Sequence, residues 1–407
     1  MEVKEIELKG HIIDSLILPR VFDAIMDLHG DFEVLEFNIG KKKTDYSFAR
    51  ILVKGKDREH LDRILADLHK LGAVAPEIEE VELAPAPTDK VLPDNFYSTT
   101  HHPTYVKFGK KWLPVENIEM DSIIVIDKQQ NKAFCKKIGK VKQGDLIVVG
   151  SRGVRVEPPE RPRRGVGVFE FMGSRISTEK PSKSLVKHIA KEIITVKKKG
   201  GKIVVIAGPA VVHTGAAPYL TEMIKDGVVD ALLAGNALAV HDIEYALFGT
   251  SLGMSIETGL LSEAGHRHHM RAINEIMKVG SIKAAVEKGI LKSGIMFECV
   301  RKNVPFVLAG SIRDDGPLPD TITDVTIAQE KMRQALQGVQ IVIILATILH
   351  GVATGNMLPS TVKTIFVDIN PASVTKLMDR GTAQALGIVT DVGVFLPMLV
   401  EELKKLK

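Results

Sequence analysis

Small and polar residues that could hold a nucleotide follow six short apolar segments in the C-terminal half of the chain. The positions after these segments are Gly208, Gly235-Asn236-Ala237, Gly310 to Asp315, Ala346-Thr347-Ile348-Leu349-His350, Asp368 and Asp391-Val392-Gly393. Small residues let a ligand approach the backbone, and carboxylates can accept hydrogen bonds from ribose hydroxyls. A helix that begins beside them attracts phosphate. The pattern therefore predicts a nucleotide site at the segment ends.

Asp368 is the best candidate for a ribose contact, because it ends an apolar segment and precedes Asn370 and Pro371. The same residues suit a helix start, where Asp, Asn and Pro are favourable. Both roles stay open, and one pair of residues can serve both. A carboxylate at the ribose would repel a 2′-phosphate and so favours NAD over NADP. The spacing G-x-G-x-x-G is absent, which predicts scattered contacts in place of a standard phosphate loop.

Several histidines lie close to these segments. His213 follows the first segment and is either a ligand contact or a loop cap, while His266, His268 and His269 form a cluster in GHRHHMRAIN. His266 and His269 could share a helix face, but no HExxH pattern and no nearby cysteine accompany them. We therefore predict no metal and interpret the cluster as a polar rim beside the substrate. Cys299 is interpreted as a buried structural thiol.

The six apolar segments have the character of strands in a parallel sheet that is covered on both faces. They are continuous apolar runs without alternation, at 202–208, 229–236, 304–310, 340–347, 364–369 and 387–392. Helical patterns separate them, and this β-α alternation indicates a doubly wound α/β fold. Ligands bind such sheets at the carboxyl ends of the strands. Residues 185–407 are thus predicted to form a Rossmann-like domain.

Two smaller domains are predicted before it. Residues 1–95 show the order β-α-β-β-α with a last strand at 78–86, which matches a ferredoxin-like α+β unit. This unit is either a scaffold or oligomerisation domain or a substrate-contacting one. The Pro-rich stretch at 84–95 is interpreted as a linker. Residues 96–184 are predicted to form a small β module, followed by a basic connector at 158–165.

Composition excludes several classes of protein. With 45% hydrophobic and 26% charged residues the chain of 407 residues is globular, and a net charge of +4 is no signature of nucleic-acid or membrane binding. Two cysteines cannot build a disulfide framework. We see no signal peptide and no apolar run of the roughly 20 residues that a membrane helix needs. We expect a cytoplasmic homodimer or homotetramer.

The chain resembles the family that carries the lysine–oxoglutarate reductase/saccharopine dehydrogenase conserved domain, in its free-standing archaeal form. The phrases that carry this resemblance are TTHHPTYVKFGKKWLPVENIEMD, PPERPR, FEFMGSRISTEKP, GPAVVHTGA, AGNALAVHDIE, GTSLGM, GHRHHMRAINEI, VPFVLAGSIRDDGPLPD and VDINPASVTKL. Members look like archaeal-type NAD-dependent ornithine cyclodeaminases, and the C-terminal sheet is similar to the NAD-binding fold of deoxyhypusine synthase. The resemblance implies NAD contacts at Asn236, Ala237, Asp314, Ala346, Thr347, Ile348, Leu349, His350, Asp368, Asp391 and Val392.

The activity implied by this resemblance converts L-ornithine to L-proline and ammonia through an internal NAD hydride cycle. A base must take the proton of the α-ammonium group, and Asp315 and Glu257 are the candidates, while His268 could relay a proton. Arg267 or Arg313 could hold the substrate carboxylate, and the sequence does not rank them. Two alternatives stay open: another NAD-linked amino-acid dehydrogenase of the saccharopine type, and a non-enzymatic nucleotide-sensing module.

Overall fold

The structure is a computed structural model that describes residues 2–13, 15–41, 45–74, 80–109, 111–157, 176–177, 183–252, 254–255, 267–314, 316–379 and 385–406. The chain divides into two compact units. One comprises residues 1–166 with 358–361, and the other comprises residues 167–357 with 362–407. None of the described helices is long and apolar enough to cross a membrane.

The first unit begins with a three-stranded antiparallel sheet and two helices. Its elements are β1 Glu2–Gly10, α1 Ile17–Asp27, β2 Asp31–Asn38, β3 Ser47–Gly55 and α2 Arg58–Lys70, with strand order β1-β3-β2. Alternate residues of β3 are buried, and Ile51 and Val53 pack with Ile25 and Ile64 of the helices. Asp57 begins α2, because its carboxylate accepts a hydrogen bond from the His60 N–H at 2.9 Å. This is the β-α-β-β-α order that the sequence predicts.

The predicted fourth strand of this sheet pairs elsewhere. The strand β4 Glu82–Pro85 runs antiparallel to β9 Leu146–Val149 in the second sheet. Val74, before this segment, forms an isolated bridge with Glu7 of β1. The prediction of a linker at 84–95 is wrong for the first residues of this stretch, since Ala84 and Pro85 belong to β4. Ala86 is buried and its N–H donates to the Asp145 carbonyl at 2.8 Å, which fixes this stretch on the β module.

The predicted small β module is a seven-stranded sheet that includes β4 and β9. Its other strands are β5 Thr104–Phe108, β6 Lys111–Glu116, β7 Ile123–Asp127, β8 Lys132–Lys136 and β10 Val154–Val156, in the order β10-β5-β6-β8-β7-β9-β4. A short 3-10 turn spans Ile138–Lys140. The Arg155 guanidinium stacks over the rings of Tyr105 and Trp112 at 4.8 and 4.7 Å, which joins three strands through cation–π contacts. The predicted connector at 158–165 lies outside the described residues.

The second unit is built on an eight-stranded parallel sheet. Its strands are β11 Ile176–Ser177, β12 Lys202–Ala207, β13 Ala231–Gly235, β16 Phe306–Ala309, β17 Thr321–Ile322, β18 Val339–Leu345, β19 Lys363–Asp368 and β20 Ala385–Val389. Two short strands, β14 Thr250–Ser251 and β15 Met254–Ser255, pair antiparallel with each other apart from this sheet. The helices of this unit are α3 Lys183–Lys198, α4 Ala210–His213, α5 Ala217–Lys225, α6 Asn236–Phe248, α7 His268–Val279, α8 Ile282–Glu287, α9 Ile295–Arg301, α10 Val325–Leu336, α11 Ile348–Met357, α12 Pro371–Asp379 and α13 Val392–Leu406.

The strand order creates a topological switch point between β12 and β18. The sheet runs β11-β20-β19-β18-β12-β13-β16-β17. The six strands that the sequence predicts are β12, β13, β16, β18, β19 and β20. Numbered from one to six in chain order, they lie in the sheet as 6-5-4-1-2-3, which is the strand order of dinucleotide-binding folds. Successive residues of β12 point to opposite faces, and Ile203 through Ala207 are all fully buried, so both faces are covered. The sequence-based prediction of a doubly wound α/β sheet is confirmed.

Candidate functional site

The switch point brings the ends of β12 and β18 into very close contact. The Gly208 N–H donates to the Leu345 carbonyl at 2.9 Å, and a Cβ added to Gly208 would lie 2.1 Å from the Ala346 carbonyl oxygen. Ala346 itself has φ +48°, the left-handed region in which a non-glycine residue is strained. Only glycine fits at 208, and the strained turn at 346 leads directly into α11. Such strain is commonly stored at functional sites.

We expect the substitution Gly208→Ala to destabilise the second unit. The new methyl group has no room beside the Ala346 carbonyl, and overpacking of this kind costs about 1–3 kcal/mol. The free energy of unfolding, measured by urea titration, should fall by that amount. Gly139→Ala is the matched control, because a Cβ there meets no atom within 4 Å and should leave stability unchanged. Equal stability of Gly208→Ala and the parent chain would contradict the close approach.

Three predicted strand ends meet around His350. A Cβ added to Gly235 would lie 2.8 Å from His350 Cε1, so the imidazole covers the end of β13. Thr347 Oγ1 lies 3.2 Å from His350 Nδ1. Burial lowers the pKa of His350, and the charge of Asp314 opposes this shift. The buried ring therefore lies near a carboxylate, at the edge where ligands bind such sheets.

Asp368 is placed as a ribose-binding acid would be. It ends β19 and follows Thr347 by 21 residues (368 − 347), close to the spacing between phosphate turn and acid in a dinucleotide-binding βαβ unit. Its Oδ1 accepts from the Asn370 N–H at 2.8 Å, while Asn370 Oδ1 caps α12 by accepting from the Ala372 N–H at 2.9 Å. Among the described residues Oδ2 of Asp368 has no hydrogen-bond partner. Asn370 thus performs the capping, and Asp368 keeps one oxygen for a ligand.

The other predicted cofactor residues fall into two groups. Ile348 and Leu349 are exposed at the start of α11, Ala237 is half-buried at the start of α6, and Asp391 Oδ1 accepts from the Gly393 N–H at 2.6 Å at the start of α13. Asn236 and Val392 are buried. Asn236 Oδ1 accepts from the Leu318 N–H and the Thr321 hydroxyl at 3.0 and 2.9 Å, and Val392 packs in the core. Neither of these two side chains needs a ligand to account for its position.

A cluster of histidines surrounds a fully buried carboxylate beside this edge, and we call it the histidine–Glu244 cluster. It comprises His213 of α4, His241 and Glu244 of α6, and His268 and His269 of α7. The rings of His213 and His241 lie 4.6 Å apart, and those of His241 and His269 lie 4.9 Å apart. The His213 N–H donates to the Pro209 carbonyl, one residue beyond Gly208, which links the cluster to the end of β12.

The contacts of Glu244 determine the tautomer of His268. The Thr250 hydroxyl donates its single proton to Glu244 Oε1 at 2.9 Å, so His268 Nδ1, which lies 2.9 Å from the same hydroxyl, must carry the hydrogen. His268 Nε2 is then the basic nitrogen. Burial lowers the pKa of His213 to about 4, and its Nδ1 lies 2.7 Å from Ser251 Oγ. A proton relay through His268 is compatible with this arrangement and stays a prediction.

His241 and Glu244 are functional candidates that the sequence analysis missed. The signal was the i,i+3 spacing in AVHDIE, which places both on one helix face. Asp242 between them points elsewhere: its carboxylate accepts the Ile295 and Met296 N–H groups at 2.9 and 2.8 Å and thereby caps α9. Asp315, Glu257 and His266 lie outside the described residues, so their predicted roles stay predictions. Cys299 is buried in α9, as the sequence predicted.

Family models match the whole of this architecture. The LOR/SDH bifunctional enzyme conserved region matches residues 3–102, the first C-terminal region of arginine dihydrolase ArgZ-like proteins matches 103–186, and their C-terminal Rossmann fold matches 187–399. The chain is 62% identical over 412 residues to an ornithine cyclodeaminase of Methanocaldococcus jannaschii, covering 100% of this chain and 97% of the relative. The corresponding protein of Archaeoglobus fulgidus is 59% identical, with 100% and 99% covered.

Solved structures agree with these matches. A conserved LOR/SDH protein of Methanococcus maripaludis superposes with a TM-score of 0.77 at 54% identity, covering 81% of this chain and 99% of that chain. AgrE, solved as a ternary complex with ornithine and NAD⁺, is 43% identical with a TM-score of 0.55, and the match covers 100% of this chain and 58% of AgrE. The chain belongs to the archaeal ornithine cyclodeaminase family, which combines the LOR/SDH conserved region with an ArgZ-like Rossmann domain.

Proposed function

We propose that the chain is an NAD-dependent ornithine cyclodeaminase that converts L-ornithine to L-proline and ammonia. The observation that carries the proposal is the identity of 54–62% over nearly the full chain to five archaeal relatives of that name. The AgrE structure, which holds ornithine and NAD⁺ together, supports the choice of substrate and cofactor. The switch point and Asp368 Oδ2, which has no hydrogen-bond partner within the described part of the chain, are the structural features that fit a dinucleotide.

We expect the strand ends of the second unit to supply the groups that bind NAD. Asp368 would bind ribose hydroxyls, and the first N–H groups of α11 at Ile348 and Leu349 would face the pyrophosphate. The exposed side chains of these two residues offer an apolar surface to a ring of the cofactor. His350 and Asp314 would supply further contacts to the cofactor. Bound NAD supplies a reversible hydride acceptor, which an amino-acid side chain cannot provide.

The chain's own residues must orient ornithine and move its protons. A base has to hold the proton lost from the α-ammonium group, and Asp315, Glu257 and His268 are the proposed groups. Arg267 and Arg313, which are both exposed at the edges of the described segments, are the proposed partners of the substrate carboxylate. Attack of the δ-amine on the α-carbon is intramolecular, so orientation removes most of the entropic cost of ring closure.

An isotope experiment tests the internal hydride cycle. Ornithine that carries deuterium on the α-carbon should give proline with deuterium on the same carbon, because the hydride removed from the substrate returns to it. Mass spectrometry of the product measures this retention. Proline that has lost the label would show that the removed hydride exchanges, and would contradict a closed cycle.

We also propose that the chain forms a homodimer or a homotetramer. It would act in the cytoplasm, in proline biosynthesis and in ornithine and arginine metabolism. The edge strand β2 supports oligomerisation, since Val34, Leu35 and Phe37 are all exposed on it. Cys135 and Cys299 are buried and unpaired, as is usual in reducing compartments. Light scattering of the purified chain measures its mass directly, and a monomer at micromolar concentration would overturn the oligomer.

A further inference from the structure

We propose that His241, Glu244 and His269 bind a divalent metal ion of the zinc class, as a site separate from the NAD contacts. One ligand atom from each of these residues lies within 4.8 Å of the other two. His241 Nδ1 and His269 Nδ1 both approach Glu244 Oε2, so these three atoms are the proposed ligands. Two imidazole nitrogens and one carboxylate oxygen are an established zinc ligand set. The proposal departs from the sequence-based expectation of no metal, because that expectation considered only the histidines of GHRHHMRAIN.

The distances between these atoms suit a shared ion better than direct hydrogen bonds. His241 Nδ1 lies 3.3 Å and His269 Nδ1 lies 3.8 Å from the same Glu244 oxygen. A charge-assisted hydrogen bond would be about 2.7–2.9 Å long. Ligand bonds of about 2.0–2.2 Å in a tetrahedron place neighbouring ligand atoms about 3.3–3.6 Å apart. Both nitrogens thus converge on one oxygen: His241 Nδ1 lies at the separation that ligand atoms keep around a metal, and His269 Nδ1 lies slightly beyond it.

The helices are well suited to present these ligands. His241 and Glu244 are three residues apart on α6, the same spacing by which helices of di-metal carboxylate proteins present a Glu and a His. His269 comes from the first turn of α7, which packs against α6. The two α6 ligands are buried and His269 is half-buried, with its Nδ1 lacking a hydrogen-bond partner among the described residues. That buried nitrogen needs a partner, and an ion is one.

Groups around Glu244 hydrogen-bond to its carboxylate and would hold it in position as a ligand of the ion. Glu244 Oε1 accepts from the Thr250 hydroxyl at 2.9 Å, and Oε2 accepts from the Leu252 N–H at 3.2 Å. His268 in turn orients Thr250. Metal-ligating carboxylates are usually hydrogen-bonded in this way. A divalent ion would also supply positive charge to a carboxylate that is fully buried. Three protein ligands leave a fourth position for water or another ligand, as in catalytic zinc sites.

Metal binding by the full-length protein tests the proposal directly. Elemental analysis of the purified chain counts bound ions, and Co²⁺ added after chelator treatment and dialysis reports geometry through its visible absorption bands. We expect about one equivalent per chain, intense bands typical of tetrahedral Co²⁺, and displacement by Zn²⁺. His269→Gln should lower Co²⁺ affinity roughly tenfold or more. Glu244→Gln should do the same if it folds, which circular dichroism and NAD binding check.

His188→Gln is the matched control for these variants. His188 Nε2 also lies 3.5 Å from a glutamate, Glu192, but on α3 and outside the three-ligand group, so its replacement should leave Co²⁺ binding unchanged. Absence of tetrahedral bands in the parent chain would overturn the proposal. Unchanged Co²⁺ affinity in His269→Gln would overturn it as well. Since neither readout uses turnover, the result does not depend on whether ornithine is the substrate.

Discussion

Replacing Asp368 with alanine should weaken NAD binding about 10- to 100-fold. The carboxylate ends β19, one of its oxygens is held by the Asn370 N–H, and the other is available for ribose hydroxyls. Hydrogen bonds to a charged group contribute about 1.5–3 kcal/mol, which converts to this range of affinity. Isothermal titration of the purified variant with NAD measures the change. Asn370 still caps α12 in this variant, so the fold should persist.

The same variant should also lose discrimination against NADP. The carboxylate repels a 2′-phosphate, and its removal should therefore bring the two affinities closer together. Glu287→Ala is the control, because Glu287 is an exposed residue at the end of α8 whose ion pair with Lys283 lies on the surface. It should leave both affinities unchanged. An Asp368→Ala variant that binds NAD as tightly as the parent chain would show that the ribose lies elsewhere.

Asp315→Asn should lower kcat about 10²- to 10⁴-fold while NAD still binds. This range is the usual contribution of a positioned general base, and asparagine keeps the size of the side chain but cannot accept the proton of the α-ammonium group. Asp315 follows Asp314 in the sequence and lies outside the described residues, so this role rests on the sequence. Steady-state proline formation gives kcat, and NAD titration of the same sample shows that the site is intact.

Glu257→Gln tests the other candidate for the general base. Both carboxylates are candidates from the sequence. If only one of the two variants shows the large fall in kcat, the residue replaced in that variant is the base. The pH dependence of kcat provides a second readout, since loss of the base should remove the acidic limb of the profile. Full activity of Asp315→Asn would remove Asp315 from the catalytic group.

The C-terminal sheet was predictable because its strands permit few alternatives. Continuous apolar runs such as 340–347, bounded by polar helices, can only be buried on both faces, and parallel sheets are the usual outcome. Once the sheet is parallel, the residues after each strand must share one edge. The structure accordingly brings Gly235, Asp314 and His350 together although more than 70 residues separate Gly235 from the other two.

Other features were not predictable from local pattern. The segment at 82–85 has the residues of a strand, but alternation indicates only which face is buried and not which strand is the partner. It therefore joined β9 and not the first sheet. The pair His241 and Glu244 has a meaningful spacing on α6, yet the third member, His269, comes from α7. Spacing along one helix does not reveal a group that only helix packing assembles.

The most direct test of the proposed function is the stoichiometry of the reaction with L-ornithine and NAD. Purified protein is incubated with both, the absorbance of NADH is followed, and proline and ammonia are quantified at the end. We predict equal amounts of proline and ammonia with no accumulated NADH, since the hydride returns to the substrate in each turnover. NADH that accumulates without proline would contradict the cyclodeaminase assignment and indicate an amino-acid dehydrogenase.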